Sequence, residues 1–325
     1  MLIVNVLILG LFSMLLIRAA DLTVSSLKRV SMHTKTGVFA LSAIILALGT
    51  SFPELFVSFT SALSQTPNLS LGVVMGSNIA NISLVAGLAG VIAGKVRINQ
   101  NYLKRDIAIA LIASVAPVVL LFDGKLSRID GLVLLAIYAS YASSFFKKRY
   151  KEVARGVEVH TFFHSLFRKL NDINAKSGKE WGRLFVGVAM LLVSADIIVR
   201  ISKYLALAAG VPVFVVGLIV LAIGTSLPEL AFSIRSIKDR ESSMFYGNLL
   251  GSSIANSTLI VGVTAVVSPI TLQANVQYLL AALTFVVMFL TFWYFTKTKQ
   301  RLDRWEAGVL IAMYVVFVAI EFYLK

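Results

Sequence analysis

The sequence predicts an all-α polytopic membrane protein, with ten transmembrane helices built as two inverted five-helix repeats. Three observations support this fold class: sustained apolar stretches, an uneven distribution of basic residues between alternate connections, and two motifs that recur at a constant offset. Of the 325 residues, 58% are hydrophobic and only 14% are charged, whereas a soluble domain usually carries about 25% charged residues. The composition therefore favours a membrane protein over a soluble one.

Ten apolar stretches have lengths close to the roughly 20 residues that a helix needs to cross a bilayer. The connections between them are mostly short, which favours antiparallel neighbouring helices. The chain has no cysteine, and this excludes disulfides, thiolate metal sites and cysteine nucleophiles. The predicted spans are 2–20, 38–63, 69–93, 107–122, 129–146, 184–208, 213–237, 243–267, 276–295 and 306–324.

Lysine and arginine are concentrated on one side of this predicted topology. The connections after the odd-numbered spans hold 25 of the 30 basic residues, and the other side holds 5. Because basic residues favour the cytoplasmic side of a membrane, we expect a plasma-membrane protein with a cytoplasmic linker and both termini outside. The net charge of +14 then indicates orientation and contact with anionic lipids on the cytoplasmic side, rather than nucleic-acid binding.

Two motifs occur twice in the chain. The segment GTSFPE at 49–54 recurs as GTSLPE at 224–229, and the segment GSNIAN at 76–81 recurs as GSSIAN at 251–256. Both pairs are 175 residues apart, so no residue is inserted between the motifs in either copy. Self-similarity at a fixed offset indicates an internal duplication.

The duplication divides the chain into a first five-helix repeat at 1–146, a basic linker at 147–180 and a second repeat at 181–325. Because five is an odd number, two consecutive five-helix units cross the membrane in opposite directions. Inverted repeats are typical of secondary transporters, which bind their substrate near the membrane midplane where the repeats meet. A duplicated enzyme or receptor could share this architecture, so the duplication alone does not identify a substrate.

Each repeat carries one acidic residue within an apolar span, Glu54 in the first and Glu229 in the second. A carboxylate inside a membrane is energetically costly and therefore indicates a functional site. Pro53 and Pro228 precede the two acids, and a proline leaves a carbonyl one turn earlier without its helical hydrogen bond. Such carbonyls are tolerated within a membrane where they line a cavity or bind a ligand.

Other oxygen-bearing groups flank the two acids. Hard cations such as Ca²⁺ bind about 6–8 oxygen ligands, and Na⁺ accepts similar groups, whereas zinc, copper and iron prefer histidine or thiolate ligands that are missing from these motifs. The candidate ligands are the carboxylates of Glu54 and Glu229, the hydroxyls of Thr50, Ser51, Thr225 and Ser226, the side chains of Ser77, Asn81, Ser252 and Asn256, and the backbone near Ala47 and Ala222.

The serine and asparagine of each Gly-Ser motif also have a second interpretation. Residues four apart share one face of a helix, so the side chains of each pair can line a common cavity. Small residues in membrane helices also mediate close helix packing, and this interpretation makes Gly72, Gly76, Gly247 and Gly251 the points of contact. The two roles are compatible, because close approach of the helices would bring the polar side chains together.

The paired motifs GTSFPE…GSNIAN and GTSLPE…GSSIAN closely resemble the two α-repeats of the cation/calcium antiporter superfamily, and above all those of prokaryotic sodium/calcium exchangers. The resemblance extends over nearly the whole chain. It implies electrogenic antiport in which several Na⁺ enter for each Ca²⁺ that leaves. It also implies alternating access by sliding of spans 1 and 6 against the other helices.

The resemblance further implies a role for each candidate ligand. Asn256 departs from the pattern, because prokaryotic relatives often carry aspartate there, and this removes one potential negative charge from the site. By resemblance, Glu54 and Glu229 would bind both ions, Thr50 and Thr225 would contribute to a central Ca²⁺ site, Ala47, Ser77, Ala222 and Ser252 would serve flanking Na⁺ sites, and Ser51, Ser226, Asn81 and Asn256 would complete the central cluster.

Three functions are compatible with the sequence. The leading hypothesis is a secondary antiporter, not an enzyme, that exchanges Na⁺ for Ca²⁺ and needs neither a cofactor nor a protein partner. The alternative is H⁺-coupled antiport of Ca²⁺ or another cation, since either glutamate could titrate. The third is a channel or an intramembrane enzyme that uses the paired carboxylates as acid and base, but no nucleophile–base pair or catalytic-metal motif accompanies them.

Overall fold

The computed structural model describes residues 2–33, 49–97, 100–153, 175–238, 242–272 and 275–323. These residues are almost entirely helical, as expected where every backbone polar group has to be hydrogen-bonded within the chain. The helices are α1 (Leu2–His33), α2 (Phe52–Leu63), α3 (Pro67–Ala80), α4 (Ala86–Ala93), α5 (Gln100–Leu120), α6 (Arg128–Val153), α7 (Ala175–Ala209), α8 (Val213–Val215), α9 (Ala222–Thr225), α10 (Leu227–Lys238), α11 (Ser242–Ile254), α12 (Val261–Val267), α13 (Asn275–Lys299) and α14 (Arg304–Tyr323).

Three π-helical segments join some of these helices without ending them. They cover Asn81–Val85 between α3 and α4, Val216–Leu221 between α8 and α9, and Ala255–Ile260 between α11 and α12. Short π segments within α-helices are frequent at functional sites. The first and third occupy nearly equivalent positions in the two repeats, so the duplication extends to irregularities of the backbone.

Within the described part of the chain, seven helices are long and apolar enough to cross a membrane, and two more, Phe52–Leu63 and Ile107–Leu120, are apolar but shorter. The predicted span 38–63 lies partly outside the described residues. The predicted span 129–146 coincides with α6, which is helical but carries charged residues at both ends. A helical membrane protein is confirmed, whereas the count of ten spans stays a prediction.

Two short strand pairs connect the repeats. They are β1 (Lys95–Arg97) with β4 (Arg301–Asp303), and β2 (Lys125–Leu126) with β3 (Ile270–Thr271), and both pairs are antiparallel. β1 and β3 occupy equivalent positions in the two repeats, and so do β2 and β4. A pseudo-twofold axis that exchanges the two halves would turn the β1–β4 pair into the β3–β2 pair. The observed pairing agrees with such a relation.

The last helix of each repeat begins with the same kind of hydrogen bond. At the start of α6, the Ser127 amide donates to Asp130 Oδ2 at 2.8 Å, and the Asp130 amide donates to Ser127 Oγ at 3.2 Å. At the start of α14, the Asp303 amide donates to Glu306 Oε2 at 2.9 Å. In both places an acidic side chain satisfies the amide of the residue that precedes the helix, which is half of a capping box.

Helix α3 packs against the 213–221 segment at the distance that glycine permits. A Cβ atom added to Gly72 or Gly76 would lie 2.1 or 2.0 Å from a backbone oxygen of that segment. Only glycine fits at such contacts, so the predicted close approach is confirmed at these two positions. No described atom lies within 4 Å of a Cβ added to Gly247 or Gly251, and the same role for them stays a prediction.

The buried apolar side chains form two clusters. The smaller one is centred on α1 and α7, the first described helix of each repeat, and includes Leu16, Leu191 and Val199. The larger one joins the helices that carry the repeated motifs with α5, α13 and α14. Helices α1 and α7 therefore pack mainly against each other, and their cluster reaches the rest of the molecule through α2, α3 and the 216–221 segment.

Candidate ion-binding site

Glu54 and Glu229 each lie in the first turn of a helix that follows an irregular residue. Ser51 precedes α2 with backbone angles of φ −89° and ψ 9°, and Pro53 lies in the first turn. Ser226 separates α9 from α10 with φ −83° and ψ 0°. Proline is tolerated at the start of a helix because the first amide groups have no partner within the helix. The repeated Pro-Glu sequence thus places each carboxylate beside a break in the backbone.

Glu54 is hydrogen-bonded to both repeats through one serine. Its side chain is fully buried, and its Oε1 atom accepts a hydrogen bond from Ser77 Oγ at 3.2 Å. The same hydroxyl lies 3.2 Å from the Thr225 hydroxyl of the second repeat. Three predicted ligands are therefore in contact where the two halves meet.

Glu229 is also fully buried, but its environment differs. Neither of its carboxylate oxygens has a hydrogen-bond partner among the described residues. Its close neighbours are Glu54 and the hydroxyl groups of Thr50 and Ser51, all from the first repeat. Buried charges are strongly unfavourable without a partner of opposite sign. The two glutamates therefore form an acidic pair that requires a cation or protons for neutralisation.

Several oxygen atoms of the other candidate residues are buried without a hydrogen-bond donor. Most buried polar atoms in proteins are paired, and an accumulation of free acceptors is the environment that a hard cation requires. In the described part of the chain, no group of three or more histidine, cysteine or acidic side chains could hold a metal ion. The unpaired atoms are Ser51 Oγ, Glu54 Oε2, Asn81 Oδ1, Ser226 Oγ and Asn256 Oδ1.

Asn248 is a site residue that the motif comparison missed. It accepts a hydrogen bond from Thr50 Oγ1 at 3.1 Å. Its counterpart in the first repeat is Val73, so a search for repeated residues could not find it, although an asparagine one turn before Ser252 in an apolar helix was a visible signal. The Ser252 hydroxyl donates to the backbone oxygen of Asn248 at 2.7 Å, and in this structure its hydrogen bond is made there rather than with a glutamate.

Asn78 was also missed as a site residue. Its Oδ1 atom accepts a hydrogen bond from Asn256 Nδ2 at 3.2 Å, and its Nδ2 atom donates to Ser257 Oγ at 2.7 Å. Both polar atoms of the Asn81 side chain lack a partner among the residues described. The two asparagines that end the Gly-Ser motifs are therefore buried alike but bonded differently.

The two alanine positions remain predictions. Ala222 is fully buried against Gly76. Its carbonyl oxygen accepts hydrogen bonds from the Ser226 amide at 3.0 Å and from the Thr225 hydroxyl at 3.4 Å, and an ion would be an additional partner of the same oxygen. Ala47 lies outside the described residues.

Comparisons with known proteins identify the family. A family model described as "Sodium/calcium exchanger protein" matches residues 4–147 and residues 179–323. The sodium/calcium exchanger MaX1 of Methanosarcina acetivorans is 29% identical, with full coverage of both chains. An uncharacterized membrane protein of Methanocaldococcus jannaschii is 32% identical over 96% of this chain and 95% of its own.

A solved structure is similar over nearly the whole chain. It is that of the sodium-calcium exchanger NCX_Mj soaked with Na⁺ and Sr²⁺, with a TM-score of 0.62, 29% sequence identity, and coverage of 98% of this chain and 99% of that one. The family model matches most of the chain, and its two matched stretches contain the two copies of the glutamate motif. The chain belongs to the sodium/calcium exchanger family.

Proposed function

We propose that this protein exchanges Na⁺ for Ca²⁺ across the membrane at a site between Glu54 and Glu229. The observation that carries the proposal is the pair of fully buried carboxylates, one from each repeat, among buried oxygens that lack donors. The pair has a formal charge of −2, which one Ca²⁺ or two Na⁺ would neutralise. Because the ions share ligands, they compete for the site. The empty site is unfavourable at low dielectric, which discourages crossing without cargo.

The ligand roles that the resemblance implies belong to this proposal. Glu54 and Glu229 would bind both ions, with Thr50 and Thr225 at the central Ca²⁺ position. The hydrogen bonds among Glu54, Ser77 and Thr225 support a shared cluster in which ligands come from both halves. The remaining candidates, Ser51, Ser226, Asn81, Asn256, Ser252, Ala222 and Ala47, would supply neutral oxygens around these positions.

The proposal includes ten spans in two inverted five-helix repeats. The exchanged pairing of the connecting strands supports it, because β1 and β4 follow the third and ninth predicted spans, and β2 and β3 follow the fourth and eighth. Connections on the same side of the membrane are thereby paired with each other. The basic residues assign the first pair and the linker to the cytoplasmic side, with anionic lipids around them and both termini outside.

Alternating access would be a movement of α1 and α7 against the other helices. These two helices pack against each other in the smaller apolar cluster, which is separate from the larger one and is shared with a few residues of α2, α3 and the 216–221 segment. A pair of helices with a separate core can slide without repacking the main core, and shear between packed helices is a common form of conformational change. The two helices would then expose the site to one side of the membrane at a time.

The decisive experiment is ⁴⁵Ca²⁺ uptake into proteoliposomes that contain the purified protein. We expect uptake to follow an outward Na⁺ gradient and to respond to membrane potential, because more than two Na⁺ per Ca²⁺ move net charge. A proton gradient of the same size is the matched control. Uptake that followed the proton gradient and ignored Na⁺ would contradict Na⁺ coupling and identify the protein as an H⁺-coupled antiporter.

A further inference from the structure

Two polar residues beside the ion site break the internal repeat, and they are bonded to each other. Asn78 has Ser253 as its counterpart in the second repeat, and Ser257 has Ile82 as its counterpart in the first. Asn78 and Ser257 are 3% and 1% exposed, and they are joined by the 2.7 Å hydrogen bond from Asn78 Nδ2 to Ser257 Oγ. The equivalent bond would join Ser253 to Ile82, and an isoleucine side chain can neither donate nor accept a hydrogen bond.

Asn78 is bonded to Asn256 as well as to Ser257, and it uses a different end of its amide for each partner. The Nδ2 atom of Asn78 donates a hydrogen bond to Ser257. Its Oδ1 atom accepts a hydrogen bond from Asn256 Nδ2 at 3.2 Å. An amide side chain has a donor end and an acceptor end. Once the donor end of Asn256 is bound, its Oδ1 atom is the end left over, and that atom is buried without a partner.

The backbone segment that carries Asn256 packs beside the helices of the first glutamate motif. The 255–260 segment that carries Asn256 packs against α2, the helix that begins beside Glu54, and against α3. Ser77, the neighbour of Asn78 in the chain, donates to Glu54. A free carbonyl oxygen suits a hard cation, whereas the NH₂ end of the same amide would repel one.

We propose that Asn78 is a positioning residue, which holds the Asn256 amide with its carbonyl oxygen free to bind a transported cation. The inference rests on the proposed function, because it assigns the orientation of one ligand of that site. Asn81, the counterpart of Asn256, has no partner at either polar atom among the residues described. Of the two asparagines that end the Gly-Ser motifs, one is therefore held by a hydrogen bond and the other is not.

The test compares Asn78→Leu with Ser253→Ala. Leucine has the same branching and the same number of side-chain heavy atoms as asparagine but neither accepts nor donates, and a cavity of about 20 Å³ lined by Asn78, Ser114 and Tyr278 takes up part of its larger volume. Ser253 is the matched control, because it is fully buried at the equivalent position but donates to the backbone oxygen of Leu249 at 2.9 Å. Each variant is purified, and its ⁴⁵Ca²⁺ equilibrium binding and its Na⁺-driven uptake are measured.

We expect Asn78→Leu to raise the half-saturating Ca²⁺ concentration about tenfold, the factor that corresponds to about 1.4 kcal/mol. The maximal uptake rate and the apo thermal midpoint should change little, and Ser253→Ala should match the parent protein in all three. A purely structural role would lower the thermal midpoint or the maximal rate instead. Unchanged Ca²⁺ affinity in a folded Asn78→Leu protein would overturn the proposal.

A double-mutant cycle with Asn256→Ala separates positioning from direct binding. If Asn78 acts through Asn256, its replacement should change the affinity of the Asn256→Ala protein by less than about twofold, the usual additivity error. A full tenfold loss in that background would mean that Asn78 acts by another route, and the proposal would fail. Parent protein that binds Ca²⁺ but shows no Na⁺-driven uptake would instead refute the proposed function, and the binding cycle would still test Asn78.

Discussion

The two repeats share a backbone plan but differ in the hydrogen bonds at the site. In both halves a helix begins beside the glutamate, and a π segment begins within one residue of the motif asparagine. Yet Ser77 donates a hydrogen bond to Glu54, whereas its counterpart Ser252 donates to a backbone oxygen of its own helix. The repeated residues thus account for where the candidate ligands lie, and residues that differ between the halves account for how each is held.

This difference has a functional meaning for an inverted repeat. In the proposed inverted arrangement, equivalent elements of the two halves would approach the site from opposite sides of the membrane. A perfectly symmetric site would offer an ion the same ligands from either side. Residues without an equal counterpart, such as Asn78, Asn248 and Ser257, make the two approaches chemically distinct. Binding on one side and release on the other can then differ in affinity although the backbone framework is shared.

The largest expected effect concerns the two glutamates, which are the same residue type in both halves. Glu54→Gln and Glu229→Gln should each lower Na⁺-driven Ca²⁺ uptake more than about 100-fold, because losing one partner of a buried ionic interaction costs about 3–5 kcal/mol. The carboxamide has nearly the same shape, and it removes a buried charge. The ion-free proteins should therefore be at least as stable to heat as the parent, which is the folding control. Retained uptake in either variant would refute the site assignment.

Much of this plan could be predicted from the sequence. The constant offset of 175 between motifs locates both glutamates, and the energetic cost of a carboxylate inside a membrane makes them candidates for a functional site. The prolines before them predict a break in each helix, which the structure places at Ser51 and Ser226. These features depend on residues that occur twice, and repetition is what makes them visible in a single sequence.

The features that could not be predicted are those in which the halves differ or the backbone deviates. Asn78 and Asn248 have Ser253 and Val73 as counterparts, so a search for repeated chemistry excludes them. The π segments depend on packing between helices rather than on any local sequence signal, and π-helices are rare. The exchanged pairing of the strands likewise requires the three-dimensional relation between the halves.

The second prediction concerns the contact between the halves. Gly76→Ala should lower the stability of the protein by about 2 kcal/mol, a typical cost of overpacking, because the added methyl would lie 2.0 Å from the Leu218 backbone oxygen and 2.5 Å from the Ala222 Cβ atom. Gly308→Ala is the control, since no described atom lies within 4 Å of its Cβ position. Thermal unfolding in detergent measures both. Equal stability of the two variants would argue against the close approach of α3 to the 213–225 region.

The third prediction compares the motif serines directly. Ser77→Ala removes a hydroxyl that donates to Glu54, so the half-saturating concentrations of Na⁺ and Ca²⁺ should rise about tenfold, as loss of a hydrogen bond to a charged group implies. Ser252 donates to a backbone oxygen of its own helix, and Ser252→Ala should change the same concentrations less than about threefold. Equal losses in the two variants would mean that Ser252 contributes to ion binding as strongly as Ser77 does, despite its different hydrogen bond.

The smallest expected effect concerns the starts of α6 and α14. Ser127→Ala removes a side-chain cap and should cost about 1 kcal/mol of stability. Asp303 stands at the equivalent position, but its carboxylate is used for ion pairs with Lys299 at 3.3 Å and Arg301 at 2.8 Å. Asp303 is largely buried, but Lys299 and Arg301 are partly exposed. Ion pairs that reach solvent contribute about 0–1 kcal/mol, so Asp303→Ala should cost no more.

The dependence on salt distinguishes a lost helix cap from a lost ion pair, although the two variants lose a similar amount of stability. Screening weakens interactions between exposed charges but leaves a neutral hydroxyl cap almost unchanged. The loss of stability in Asp303→Ala should therefore shrink as choline chloride is added, a salt that supplies neither transported ion, while the loss in Ser127→Ala should stay constant. If both losses shrank together, the two helix starts would share one electrostatic mechanism, and the divergence between the repeats would not extend beyond the ion site.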